Sequence, residues 1–411
     1  MTGEREAAHA ERAERAERAE RAGQVGRAER AERAGQAGRD ERVLLVSMSA
    51  RRGPDARDPL ASLDELAGLT DTAGGVVADS LVVNRDRPDP SLYVGKGKLD
   101  EIAAIIEEKE IDLLIIDDEL SVRQQNQLDQ RLACRVIDRT ALILQIFADR
   151  AKTREGKLQI ELAQLSYMLP RLSGKGASLS RLGGGIGTRG PGESQLEKDR
   201  RHIRRRIRTL KEETERIRVQ RAVNRERRRR NQVPVVALVG YTNAGKSSLL
   251  NLLTNAGVTA EDKLFATLDP VTRRLRLGAA EVLLTDTVGF IRQLPHALVA
   301  AFRATLEEAL YADILIHVAD SAHPELASQI KTVHQVLDEI GCHEKPMIHA
   351  FNKADLLADP LDLQCFLSDY RPAVLVSART GEGTADLRAL LAAVIDENAS
   401  AARHSLSEYT G

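Results

Sequence analysis

The chain has 411 residues, with 60 Lys and Arg against 61 Asp and Glu, a formal net charge of −1. That length supports two or three domains, and the balanced total excludes both a globally basic nucleic-acid coat and an acidic disordered chain. Three cysteines without a CxxC pair exclude a disulfide framework and a cysteine zinc site, and no apolar run approaches the ~18 residues of a membrane span.

Residues 1–42 are low in complexity. Glu-Arg-Ala repeats four times from Glu11 to Ala22 and twice from Glu29 to Ala34. A period of three holds no apolar stripe on one helix face, so this is a solvated tail. It has no apolar h-region and therefore reads as no secretory leader. The expected compartment is the reducing cytoplasm.

Residues 43–140 alternate strand-like and helix-like runs. Val43–Met48, Val76–Val83 and Leu113–Ile116 read as strands, and Leu63–Leu69, Leu99–Glu108 and Val122–Leu132 as helices. This predicts an α/β domain with a mostly parallel sheet. Tyr93-Val-Gly-Lys-Gly-Lys98 precedes the second helix. A tight loop with solvated lysines is the reading its spacing favours over a phosphate site.

Residues 141–232 predict a long antiparallel helical hairpin. Leu144, Ala148, Ala151, Leu158, Leu162, Leu165 and Leu169 form one seam, and Leu196, Ile203, Leu210 and Ile217 recur every seven residues in the other. The tip, 173–192, holds eight glycines, Lys175, Arg181 and Arg189, and no acid. Its Gly185-x-Gly187-x-x-Gly190 matches a dinucleotide fingerprint but lacks the enclosing βαβ unit. The second arm explains the balanced charge: Lys198–Arg230 carries sixteen Lys and Arg against five acids, a net +11, leaving −12 elsewhere. Such a segment can neutralise RNA phosphates. With aromatics at 3% and no Trp, contact through phosphate and shape is expected rather than base stacking.

Residues 233–398 predict a second α/β domain, with strands at Pro234–Val239, Val282–Thr285, Ile314–Val318, Pro346–Phe351 and Ala373–Val376, and 399–411 a frayed tail. Gly240, Tyr241, Thr242, Asn243, Ala244, Gly245, Lys246 and Ser247 follow the first of these strands and open a helix. That context makes them a phosphate-binding loop, with Lys246 on the β and γ phosphates and the Ser247 hydroxyl on Mg²⁺. Asp286, Thr287, Val288 and Gly289 end the next strand. Asp286 would hold Mg²⁺ through water, and the Gly289 N–H would sense the γ-phosphate. Asn352-Lys353-Ala354-Asp355 ends another strand. The Asp355 carboxylate can accept from guanine N1–H and its 2-amino group, which adenine lacks. Ser377, Ala378 and Arg379 end the last strand and can present backbone N–H groups to guanine O6. Four such elements in order, each at a strand's carboxyl end, indicate a GTPase binding GTP and GDP with Mg²⁺. A switch threonine completing the Mg²⁺ shell is offered by Thr267, with Thr254, Thr259 and Thr272 as competitors. Phe290 stands where Ras-like enzymes carry the Gln that orients water, so slow intrinsic hydrolysis stimulated by a partner is expected.

At this point the chain resembles the HflX family of translational GTPases. Arg189-Gly-Pro-Gly-Glu-Ser-Gln-Leu-Glu197, followed by Asp199, Arg200, Arg201 and Ile203, is similar to that family's signature before its long helix; Ser194 stands where the family commonly has Thr. Tyr93–Lys98, Phe265–Asp269 and Asp286–Ile291 resemble its other motifs. The resemblance selects Thr267 as the switch threonine. It adds Phe265, Ala266, Leu268 and Asp269 to the nucleotide-binding set and makes Lys246, Thr267 and Gly289 the catalytic group. It further implies a monomer that binds the large ribosomal subunit and its rRNA and splits stalled or idle ribosomes.

Overall fold

The computed structural model describes residues 41–49, 58–85, 87–172, 192–230, 233–255, 257, 263–278, 280–292 and 307–408. The Glu-Arg-Ala repeats and the glycine-rich tip at 173–191 lie outside them.

Strands β1 (Arg42–Ser49), β2 (Val76–Asn84), β3 (Leu113–Ile116) and β4 (Arg135–Asp138) alternate with helices α1 (Pro59–Thr72), α2 (Lys96–Glu108) and α3 (Val122–Arg131). The strands pair in the order β2-β1-β3-β4, all parallel, which requires the intervening helices as crossovers. Because side chains alternate along a strand, Leu44 and Val46 face α2 and α3. Val43 and Leu45 face Leu63, Leu66 and Leu69 of α1. The α1 helix starts four residues before its apolar period, where Asp58 accepts from the Leu60 N–H at 2.9 Å and Pro59 supplies the first turn. β4 was not expected, since only Val136 and Ile137 in it are apolar.

The helical run expected across 140–169 divides into α4 (Arg139–Arg150) and α5 (Arg154–Arg171). Ala148, placed on the seam, is exposed. The break is a new helix start: Thr153 Oγ1 accepts from the Gly156 N–H at 3.0 Å. α4 packs against the sheet through Leu142, Ile143, Ile146 and Phe147. α5 pairs with α6 (Gly192–Arg230). Glu161 takes a two-pronged bond from Arg206 at 2.6 and 2.7 Å, and Glu155 pairs with Arg221 at 2.9 Å. Partner numbers fall as α5 numbers rise, so the two helices run antiparallel. Leu210 is fully buried in their seam and Ile203 and Ile217 are half-buried.

The second sheet contains β5 (Val235–Val239), β6 (Val271–Leu277), β7 (Ala280–Asp286), β8 (Ile314–Asp320), β9 (Met347–Asn352) and β10 (Ala373–Leu375), ordered β10-β9-β8-β5-β7-β6. Only β6 is antiparallel. It was missed because Arg273, Arg274 and Arg276 interrupt its apolar alternation on an edge strand. The described helices of this domain are α7 (Lys246–Thr254), α8 (Leu326–Glu339), α9 (Gln364–Asp369) and α10 (Thr384–Glu408), besides a helical segment at 307–311. α10 carries the helix through the stretch expected to fray. One continuous apolar cluster holds Val43 and Leu45 together with Ala237, Val239, Leu315 and Val333, so the two domains share a core. No described helix is long and apolar enough to cross a membrane.

Asp138 ties the first domain together. Its buried carboxylate accepts from Leu120 N at 3.1 Å, Ala141 N at 2.8 Å, Tyr167 Oη at 2.7 Å and Arg171 Nη2 at 3.2 Å. Replacing it by Ala removes the carboxylate partner of the half-buried Arg171 and strands three further donors, and should lower stability by about 3 kcal/mol in urea denaturation. Asp138→Asn should recover part of that loss. A change below about 0.5 kcal/mol for Asp138→Ala would show that these bonds are not structural.

Candidate nucleotide-binding site

The loop after β5 is shaped by close approach. Gly245 has φ 90° and a Cβ there would lie 2.2 Å from Asn352 Nδ2. Without one, Asn352 Nδ2 donates to the Ala244 carbonyl at 2.8 Å, and Asn352 Oδ1 accepts from the Ala378 N–H at 2.9 Å. One buried side chain therefore fastens the phosphate loop to the loop after β10. Lys246 Nζ donates to the Gly240 and Tyr241 carbonyls at 3.1 and 2.8 Å. Burial pulls its pKa down to about 8, partly opposed by the Asp286 carboxylate. Thr242, Asn243, Gly245, Lys246, Ser247, Phe265, Ala266, Thr267, Thr287 and Gly289 line one cleft, joined by Ser248 and Lys263.

Ser247 Oγ donates to Asp286 Oδ2 at 2.6 Å and lies 2.6 Å from Thr267 Oγ1. Asp286 is fully buried, and its Oδ1 has no hydrogen-bond partner. Burial pushes its pKa up, against the pull of Lys246 and its hydroxyl partners. Two hydroxyls and a buried carboxylate with a spare oxygen are a hard, oxygen-only donor set. They fit Mg²⁺, which Ser247 and Thr267 could ligate directly and Asp286 through water.

Gly289 rests against the phosphate loop, where a Cβ would lie 2.6 Å from Thr242 Cα. The next residue extends the β5–β7 pairing: Phe290 N donates to Gly240 O at 3.0 Å and Phe290 O accepts from Thr242 N at 2.7 Å. The Phe290 ring is buried in the shared core, outside the cleft lining. On the base side, Asp355 Oδ1 accepts from Ser377 Oγ at 2.6 Å and Arg379 Nη1 lies 3.7 Å from Asp355 Oδ2. Lys353, at φ 65°, pairs with Asp320 at 2.7 Å.

Four expected nucleotide contacts turn their side chains elsewhere. Leu268 and Val288 are core residues. Asp269 takes the N–H groups of Lys152 and Thr153 at 3.0 and 2.9 Å and the Thr153 hydroxyl at 2.5 Å, so it caps α5. The Tyr241 side chain also turns from the cleft: its hydroxyl donates to Glu65 of α1 and accepts from the Arg292 N–H at 2.9 Å. Arg139, almost wholly buried, pairs with Glu65, with Asp117 at 2.9 Å, and donates to the Arg292 carbonyl at 3.3 Å. Sequence reasoning missed Glu65, Asp117 and Arg139, which no local motif marks. Tyr93–Lys98 is a loop-to-helix junction: Tyr93 is buried with its hydroxyl on Asp118 at 2.5 Å, and Lys98 pairs with Glu101 at 2.9 Å. In α6, Arg206, Arg218 and Arg221 pair with acids of other elements, whereas Arg201, Arg205, Arg208, Lys211 and Arg216 stand exposed.

The depressed pKa of Lys246 has a pH consequence. A bound phosphate would favour the charged amine, so binding takes up a proton once the free site has lost it. Nucleotide affinity should be flat below about pH 8 and should weaken toward tenfold per pH unit above it. Calorimetric titration of GDP in two buffers at about pH 9 should show proton uptake; a pH-independent affinity would contradict it.

Three family descriptions match successive parts of the chain: "GTP-binding GTPase N-terminal" over residues 60–148, "GTP-binding GTPase Middle Region" over 150–228 and "50S ribosome-binding GTPase" over 235–353. The GTPase HflX of Lacrimispora saccharolytica is 52% identical over 357 residues, 87% of this chain and 83% of that protein. The GTPase HflX of Escherichia coli K12 is 45% identical over 349 residues, 84% and 81% of the two. The crystal structure of SsGBP in complex with GDP is 30% identical, covers 87% of this chain and 99% of that one, and superposes with a TM-score of 0.50. With these relatives and the loop, carboxylate and base-side residues in place, the chain belongs to the HflX family of GTPases.

Proposed function

We propose that this GTPase binds the large ribosomal subunit and splits stalled or idle ribosomes, with GTP hydrolysis controlling its release. The observation that carries the reading is a guanine-type nucleotide site on the same chain as a long helix with exposed cations, Arg201, Arg205, Arg208, Lys211 and Arg216. The family description over 235–353 supports a large-subunit partner. The protein acts as a monomer in the cytoplasm.

In this reading Lys246 neutralises the β and γ phosphates, and the Gly289 N–H meets the γ-phosphate. Asp355 and the 377–379 loop select guanine. Ser247, Thr267 and Asp286 hold Mg²⁺, which when bound supplies positive charge to the transferring phosphoryl group. Phe290 cannot position the attacking water from the core, so the ribosome completes the site and raises a slow intrinsic rate. The same buried Phe290 supports a second reading, a nucleotide-gated RNA-binding switch whose hydrolysis is incidental. Subunit splitting with GTP and with a non-hydrolysable analogue separates the two. Equal single-round splitting with no recycling on the analogue assigns hydrolysis to release. Recycling on the analogue assigns it no role.

Co-sedimentation with large subunits should require GTP or its analogue, and the logarithm of its affinity should fall against log salt with a slope near −4, as about five phosphate contacts imply. Salt-independent binding, or binding equal with GDP, would overturn the partner assignment. Asp355→Asn should move preference from guanine toward xanthine nucleotides, and Lys246→Ala should abolish productive binding of either. Unchanged GTP preference in the first variant would remove Asp355 from the base site.

A further inference from the structure

Behind the base-reading loops lies a second cluster of polar side chains that the nucleotide chemistry does not use. His317 on β8 and His349 on β9 are register partners across two parallel strands, 1% and 6% exposed. α8 lays His334, half-buried, over the same pair. One ring nitrogen of each lies within 4.8 Å of those of the other two. The His334 and His349 rings stack with centroids 5.4 Å apart, His317 meets both edge-on at 5.5 and 5.2 Å, and Tyr370 closes one side. Among the described residues, a single hydrogen bond joins these imidazoles, between His317 Nδ1 and His349 Nδ1 at 3.1 Å. His334 Nε2 is buried with no partner.

Three imidazoles are a poor way to fill an apolar interior. A buried nitrogen without a partner is destabilising, a cost that Leu or Val in the same space would avoid. Burial also drives all three rings toward the neutral form, His349 to about 4, and neutral imidazole is the form that ligates metal. The donors are nitrogen alone. That set disfavours Mg²⁺ and Ca²⁺, and suits Zn²⁺, Co²⁺ or Ni²⁺. Zn–N bonds of about 2.0–2.1 Å in a tetrahedron put nitrogens about 3.3 Å apart, so closure requires chiefly a turn of the half-exposed His334 ring.

We propose that His317, His334 and His349 form a three-histidine site for a Zn²⁺-class divalent transition metal, separate from the oxygen site at Ser247, Thr267 and Asp286. Its place in the fold gives it a structural consequence. Three residues beyond the histidines, β8 and β9 end at the register pair Asp320 and Asn352, which hold Lys353 and the phosphate loop. α8 starts immediately after Glu325, the partner of Arg292. An ion on these three ligands staples α8 to β8 and to β9, the strand that presents the 352–355 base-reading loop.

The test is a Co²⁺ titration of the metal-stripped full-length chain, with saturating GDP and excess Mg²⁺ blocking the oxygen site. One equivalent should give the intense visible d–d bands of four-coordinate Co²⁺, which Zn²⁺ then bleaches; a six-coordinate oxygen site gives far weaker bands. His334→Ala should weaken binding at least 100-fold while GDP affinity stays within twofold. His334→Cys, which restores a ligand atom, should keep the bands. If His334→Ala does not fold, His334→Gln keeps the volume without the imidazole and should lose the bands. Absence of a stoichiometric band in the wild type, or an equal band in the folded Ala or Gln variant, overturns the site.

Discussion

The structure turns on a buried carboxylate and a buried amine that have too few partners of their own. Asp286 is fully enclosed with one oxygen on Ser247 and the other unsatisfied. Lys246 is enclosed beside it and, among the described residues, donates to the Gly240 and Tyr241 carbonyls. Burial penalises both charges, so the pair is held in readiness for a ligand carrying the complementary charges. A polyphosphate for the amine and a hard cation for the carboxylate satisfy both at once. Everything nearby serves that placement. β5 and β7 deliver the two residues to neighbouring strand ends, Gly245 admits Asn352, and Asn352 fixes the base-side loop relative to the phosphate loop.

That site is not confined to its own domain. Tyr241 sits inside the phosphate loop, yet its hydroxyl belongs to an ionic network with Glu65, Arg139 and Arg292. Asp269, two residues past the switch threonine, caps α5, and Phe265 packs edge-on against Phe147 of α4 with centroids 4.5 Å apart. Movement of the 265–269 segment or of Arg292 therefore changes buried contacts in the first domain and at the root of the basic helix pair. This is a physical route by which nucleotide state can reach the helix that carries the exposed cations: a set of linked charged groups that cannot shift one at a time without leaving charge unpaired.

The sequence made the nucleotide chemistry readable because its motifs are local. Gly240–Ser247, Asp286–Gly289 and Asn352–Asp355 each fall at the end of an apolar strand, and Asn352 bonds the last of them to the first. Burial-driven elements were readable too, as with Leu113–Ile116. What escaped were features set by distant partners. The break between α4 and α5 depends on Asp269, more than a hundred residues away. The side-chain role of Tyr241 depends on Glu65, a position with no local signature. β6 hid because an edge strand tolerates arginines on its open face. The charge of α6 was legible as a total but not in its division, since Arg206, Arg218 and Arg221 are tied to acids on other elements.

The buried charges and the Asp355 side of the cleft together should make a cation-dependent, guanine-selective site. Release of a fluorescent GDP analogue from the full-length chain, chased with unlabelled GDP or ADP and with or without a chelator, tests it most directly. GDP but not ADP should displace the analogue, and release should be at least tenfold faster once Mg²⁺ is removed. Equal displacement by ADP, or a release rate that ignores the chelator, would contradict it.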